Sequence, residues 1–109
     1  MDTLRGVRLL SLFTLRAFWQ QHPDSERFLR EWAKIVDHST WASAHEVKRS
    51  LPSADQLGDR LVCFDIHNNH YRLIAVVDYP FQVVLVRFIG THDDYDHLLS
   101  QKNWRKKLL

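Results

Sequence analysis

The stretch LVCFDIHNNHYRLIAVVDYPFQVVLVRFIG, Leu61–Gly90, decides the fold. Val, Ile, Leu, Phe and Tyr dominate it, and these are the residues strands favour. Asn68-Asn69 suits a hairpin turn, because Asn tolerates positive φ. Tyr79-Pro80 makes the next break. Three strands result: Leu61–Ile66, Tyr71–Asp78 and Gln82–Ile89, with Gly90 ending the last.

Working outward, the pattern on both sides is helical. Val7–Leu10 reads as a short edge strand opening the sheet. Ser11 then caps a helix with Leu12, Leu15, Phe18 and Trp19 on one side. Pro23 ends it, since the residue before proline avoids helical backbone. Asp24 or Ser25 caps a second helix over Glu26–Asp37, whose Phe28, Leu29, Trp32, Ile35 and Val36 form one apolar stripe. Ser43-Ala44-His45-Glu46 fits a capping box for a short helix to about Ser50, which Pro52 stops. Ala54–Leu57 reads as one more turn before Gly58. Trp41, Val47, Leu51 and Leu57 are expected as satellite core contacts. Beyond Gly90, Thr91 or Asp93 caps a terminal helix carrying Tyr95, Leu98 and Leu99. The order is βααβββα. The expected class is α+β, with the two N-terminal helices packed on one face of an antiparallel sheet and the other face open.

Composition sets the bounds. The 109 residues suit a single domain, 1–109, with 1–6 an unordered extension and 102–109 a basic tail. Hydrophobic residues are 45% and charged residues 26%, as in an ordinary globular chain, and the formal charge is only +2. That permits a nucleic-acid partner without requiring one. Apolar runs such as Leu73–Val77 fall far short of the ~20 residues a spanning helix needs. Arg16 interrupts the N-terminal apolar stretch and no cleavage pattern follows, so a signal peptide is not expected. The lone Cys63 lies in an apolar strand and reads as a buried thiol, so a cytoplasmic location is expected. His67-x-x-His70 and the His92, His97 pair come without a Cys cluster or an HExxH pattern, so neither metal nor cofactor is expected.

Register gives the sharpest chemical expectation. A turn at Asn68-Asn69 places Asp65 opposite Arg72, and one at Tyr79-Pro80 places Arg72 opposite Arg87. Two arginines face to face repel, so something should compensate. Either Asp65 bridges Arg72 and leaves Arg87 to solvent, or the two guanidinium groups grip a phosphate on the open sheet face. At the end of the same strand come Thr91, His92 and Tyr95. An imidazole can take or give a proton near neutral pH. With Arg72 and Arg87 holding phosphate, this set suffices for metal-independent RNA cleavage by attack of the 2′-OH. Lys102, Arg105, Lys106 and Lys107 around Trp104 suit either RNA contact or docking onto the domain.

Several segments resemble the HigB toxins of bacterial type II toxin–antitoxin systems. They are Arg87-Phe88-Ile89-Gly90-Thr91-His92-Asp93-Asp94-Tyr95-Asp96, Asn69-His70-Tyr71-Arg72-Leu73-Ile74, Phe18-Trp19-Gln20-Gln21-His22-Pro23-Asp24 and Leu51-Pro52-Ser53-Ala54-Asp55. The likeness spans about Val7 to Asp96. It implies a RelE-like fold and a ribosome-associated mRNA endonuclease, an mRNA interferase that inhibits translation. It also implies neutralisation by a HigA-type helix-turn-helix antitoxin. The family's motif positions fall on Arg72, Arg87, Thr91, His92, Tyr95 and Asp96. We expect catalysis on His92 and Tyr95, phosphate on Arg72 and Arg87, and RNA contacts from His70, Thr91, Lys102, Arg105, Lys106 and Lys107. Relatives often carry a basic residue where this chain has Leu12-Phe13, and Lys where it has His70. The expected partners are the antitoxin, mRNA and the ribosome. DNA would be reached only through the antitoxin complex, and no membrane is involved. The rival reading is a non-catalytic module of the same fold, acting on a protein such as gyrase or serving as a scaffold for the antitoxin. Such a module has no use for an Arg-rich phosphate row with His and Tyr beside it.

Overall fold

The computed structural model describes residues 8–109, so the expected N-terminal extension lies outside them. The elements are β1 (Arg8–Leu9), α1 (Leu12–Gln21), a 3-10 turn (Pro23–Ser25), α2 (Glu26–Asp37), α3 (Ala44–Ser50), β2 (Asp55–Gly58), β3 (Leu61–Ile66), β4 (Tyr71–Asp78), β5 (Val83–Thr91), α4 (His92–Ser100) and α5 (Trp104–Leu108). The five strands lie in the order β1-β5-β4-β3-β2. All pairs are antiparallel except β1 with β5. The class is α+β, as expected, with α3, β2 and α5 added to the order βααβββα. Among the described residues, no helix is long and apolar enough to cross a membrane.

Strand alternation sends side chains to two faces, and both faces are covered. Val62, Phe64, Leu73, Ala75, Val77, Val84 and Val86 meet Leu15, Leu29, Trp32, Val36 and Val47 from the three N-terminal helices. On the opposite face Leu61, Cys63 and Ile74 pack with Tyr95, Leu98, Trp104 and Leu108 from α4 and α5. The expected open face is therefore occupied. The basic tail is a helix whose apolar Trp104 and Leu108, four residues apart, lie against the sheet.

Three local readings change. Ala54–Leu57 is not a helical turn, because Asp55–Gly58 pairs with β3. Gly58, Asp59 and Arg60 all take positive φ, which closes a tight hairpin between the two strands. Ser43 precedes α3 but makes no side-chain cap, and Glu46 accepts the Ala42 N–H instead. Ser11 likewise precedes α1 without capping it. Its Oγ accepts the buried Val86 N–H at 2.9 Å, tying the helix start to β5.

Gly90 does not end the last strand. It lies within β5, opposite Arg72. A Cβ there would sit 2.9 Å from Asp94 Cβ and 2.9 Å from Phe88 Cζ. Asp94 Cβ is fixed to the first turn of α4 and cannot swing away. Gly90→Ala should therefore push α4 off the sheet and cost about 1–3 kcal/mol. Denaturant unfolding checks this, and an unchanged midpoint would mean that the helix start yields freely.

Candidate active site

Three elements converge where α4 begins. Arg72 on β4 and Asp65 on β3 face each other across the ladder, as expected from the Asn68-Asn69 turn. Arg72 Nη1 donates to Asp65 Oδ1 at 2.6 Å, and the Arg72 side chain is 17% exposed. Its Nη2 lies 3.4 Å from His92 Nδ1. Its Cζ stands over the Tyr95 ring, 5.2 Å from the centroid. The planar guanidinium is thus held by a carboxylate, an imidazole and an aromatic face together.

His92 is the first residue of α4. Thr91 caps this helix by accepting the Asp94 N–H, while Asp94 accepts the Thr91 N–H. This capping box fixes the backbone on which the imidazole stands. The His92 N–H donates to the His70 carbonyl at 3.2 Å, which ties the start of the helix to the β3–β4 turn. Asp96 Oδ2, one turn along, lies 3.4 Å from His92 Nε2. Protonated Nε2 facing Asp96 leaves Nδ1 as an acceptor toward Arg72. The ring is 45% exposed, so it is reachable from solvent.

Tyr95 is less free. Burial, then the adjacent Cys63 thiol, pushes its hydroxyl up to about 12. Burial pushes the thiol up as well. The Tyr95 ring is the face over which the Arg72 guanidinium stands.

Arg87 is elsewhere. The expected row of Asp65, Arg72 and Arg87 does not form, because β5 is shifted. The β4–β5 turn runs from Tyr79 to Gln82, so Asp78 faces Val83. A bulge follows: Ile74 faces Phe88 while Ala75 faces Val86, and Arg87 is the extra residue. Arg87 Nε donates to the Leu108 carbonyl at 2.7 Å and Nη2 to the Leu109 carbonyl at 3.0 Å. These contacts anchor α5. Arg87→Ala should therefore loosen α5, costing about 1–3 kcal/mol. Faster amide exchange confined to Trp104–Leu109 is the expected reading. Unchanged exchange there would show that the anchor carries no energy.

The remaining expected RNA contacts divide. Lys102 and Lys106 are exposed. Arg105 donates to the Leu57 carbonyl at 2.8 Å and lies 3.7 Å from Asp59. Lys107 donates to Gln101 at 2.7 Å. Trp104 docks on the sheet. His70 sits at the lip of the site, with its ring exposed.

The sequence reading missed a second cluster beside the first. Tyr71 points to the other face from Arg72, and its hydroxyl donates to Asp24 Oδ1 at 2.6 Å. That bond holds Asp24 below the usual carboxylate range and pushes Tyr71 up to about 12. His67 Nδ1 lies 3.4 Å from the other Asp24 oxygen. His22 packs edge-on to Tyr71, with ring centroids 5.4 Å apart. The signal was available: His22-Pro23-Asp24 and His70-Tyr71-Arg72 are both segments of the noted resemblance, and here they touch.

The family described as HigB toxin, the RelE-like toxic component of a toxin–antitoxin system, matches residues 25–98. The chain belongs to this family. No curated protein matches it. As a HigB-family chain, it is the toxin component of a toxin–antitoxin system, and an antitoxin is its implied partner. The matched span contains Asp65, Arg72, His92, Tyr95 and Asp96, so the whole Arg72 cluster lies within the HigB region. Lys102–Lys107 lie beyond it.

Proposed function

We propose that this toxin is an mRNA interferase, a ribosome-associated endoribonuclease that inhibits translation. The observation that carries this is Arg72 between Asp65 and His92, with an exposed imidazole at a fixed helix start. The contact from Arg72 Nη2 to His92 Nδ1, at 3.4 Å, is at the weak limit of a hydrogen bond. An RNA phosphate arriving at Nη2 replaces it at little cost and gains a charge-assisted bond. His92 Nδ1 is then free to take the proton of the 2′-OH. The 2′ oxygen bonds to phosphorus and the bond to the 5′ oxygen breaks. That oxygen leaves with a proton from water. Arg72 stabilises the charge that builds on the phosphoryl oxygens, without a metal. Tyr95 and Asp65 position Arg72, and Asp96 positions His92. Lys102 and Lys106 extend the positive surface toward ribosomal RNA. In this assignment Arg87 and Thr91 hold structure around the site.

The antitoxin we propose is of the HigA type, a helix-turn-helix protein that brings the pair to DNA. A groove between α1 and α2 opens on the face opposite Arg72, lined by Leu9, Leu12, Arg16, Trp19, Arg30 and Lys34. Leu12 in the groove and its neighbour Phe13 are exposed. Arg16, Arg30 and Lys34 outnumber Asp37 around it, and an apolar seat with a mainly basic rim suits an amphipathic segment with acidic flanks. Mapping of 5′ ends after expression, with and without translation of the message, tests the nuclease. Ends that appear only on translated messages are expected. Growth arrest with intact messages would instead favour a protein target.

A further inference from the structure

The rings at the His70 corner form a column. Phe28 stacks on His67 with centroids 4.2 Å apart and planes at 8°. His67 stacks on His70 at 4.2 Å and 21°. The column is pinned at several points. His70 Nδ1 donates to the His67 carbonyl at 2.9 Å. His67 takes φ 57, a left-handed backbone that costs a side chain of this size some strain. Its Nδ1 lies 3.4 Å from Asp24 without a hydrogen bond, and the Tyr71 hydroxyl holds that carboxylate in place. Phe28 and His67 are partly buried, while His70 at the end of the column is exposed. Apart from His67, the aromatic neighbour of His70 is Tyr71, tilted and 6.4 Å away. The outer face of the His70 ring is therefore unstacked among the described residues. The backbone carbonyl of the same residue accepts the His92 N–H, so the column ends at a residue bonded to the start of the helix that carries the proposed base.

We infer that His70 is a stacking platform for the nucleobase beside the scissile phosphate, with Phe28 and His67 holding it rigid. The inference rests on the reading of this toxin as an RNA-cleaving protein, and it adds the group that positions the substrate. A ring already ordered by two others loses little freedom when a base lands on it. Every base has a π-face, so the platform would favour a position along the strand more than a sequence.

The probe is mRNA on programmed ribosomes, with 2-aminopurine at each position of the ribosome-bound codons in turn and 2′-O-methyl groups throughout those codons to block cleavage. Wild type and His70→Phe should bind alike and quench the 2-aminopurine at one position. His70→Ala and His70→Lys should lose the quench and bind roughly tenfold or more weakly, the range expected for one stacked base. Wild-type behaviour of His70→Ala would overturn the platform. So would rescue by His70→Lys without rescue by His70→Phe, since charge would then be the contact. Unblocked mRNA separates the two readings. A His70-dependent quench without cleavage keeps the platform and removes the nuclease. Cleavage without such a quench removes the platform and keeps the nuclease. Neither signal would overturn both.

Discussion

His92→Ala should lower the cleavage rate by about 10²–10⁴, the range for loss of a positioned general base. The fold should hold, because the imidazole is 45% exposed and lies outside both apolar clusters. Its backbone N–H, which bonds the His70 carbonyl, remains in the variant. Stability should change by no more than about 0.5 kcal/mol. Antitoxin binding should also survive, since the proposed groove lies on the other sheet face. The measurement is single-turnover cleavage of mRNA on programmed ribosomes, with circular dichroism and antitoxin co-purification as controls. Asp96→Asn should lower the rate less, because it releases the ring's orientation without removing the base. Wild-type cleavage by His92→Ala would sink the assignment. Loss of antitoxin binding together with cleavage would show that the imidazole serves the fold.

How far the sequence could be read depended on how local each determinant was. The bounds of β3 and β4 follow from composition, and four residues between them fix Asp65 opposite Arg72. The next register failed for two reasons of different kinds. The Tyr79–Gln82 turn uses Gln82 at φ 53, a residue with no turn signature. The bulge at Arg87 lies where the Val86 N–H is spent on Ser11 Oγ, 75 residues away in sequence, and no local pattern announces that bond. The face of the sheet opposite the N-terminal helices was misread because α5 is five residues of mostly basic side chains. Charge hid the Trp104 and Leu108 pair. The Asp24–Tyr71 bond spans 47 residues, and neither partner is unusual where it stands. His92 and Tyr95 were legible together because a strand end and a helix start are adjacent in sequence there, whereas Arg72 was joined to them through a row with Arg87 and reaches them instead by facing Gly90. Arg87 looked like part of that set from the family's motif and from a register taken as unbroken, and the bulge removes the second ground.

Arg72→Ala is the second large effect, and it separates the site from the row first expected. Removing the guanidinium takes away the group that would carry the phosphate charge, so cleavage should fall by about 10²–10³. It also removes the partner of Asp65 and the cation over Tyr95. Asp65 is 31% exposed and can regain water, which keeps the stability cost to about 1–3 kcal/mol. Arg72→Lys distinguishes charge from shape. An ammonium keeps the charge but cannot bond Asp65 and a phosphate from one plane, nor stack on Tyr95 as a flat group does. Its cleavage should therefore recover only in part, while stability recovers more. Arg87→Ala, measured in parallel, should lose stability at α5 and keep its rate per folded molecule, because its two bonds go to the Leu108 and Leu109 carbonyls. If Arg87→Ala instead lost cleavage as fully as Arg72→Ala at equal fold, the phosphate would have to reach both arginines. The bonds to α5 would then have to open when RNA binds. If Arg72→Ala cleaved at the wild-type rate, the cluster around it would be a structural ion pair and the chemistry would lie elsewhere in the fold.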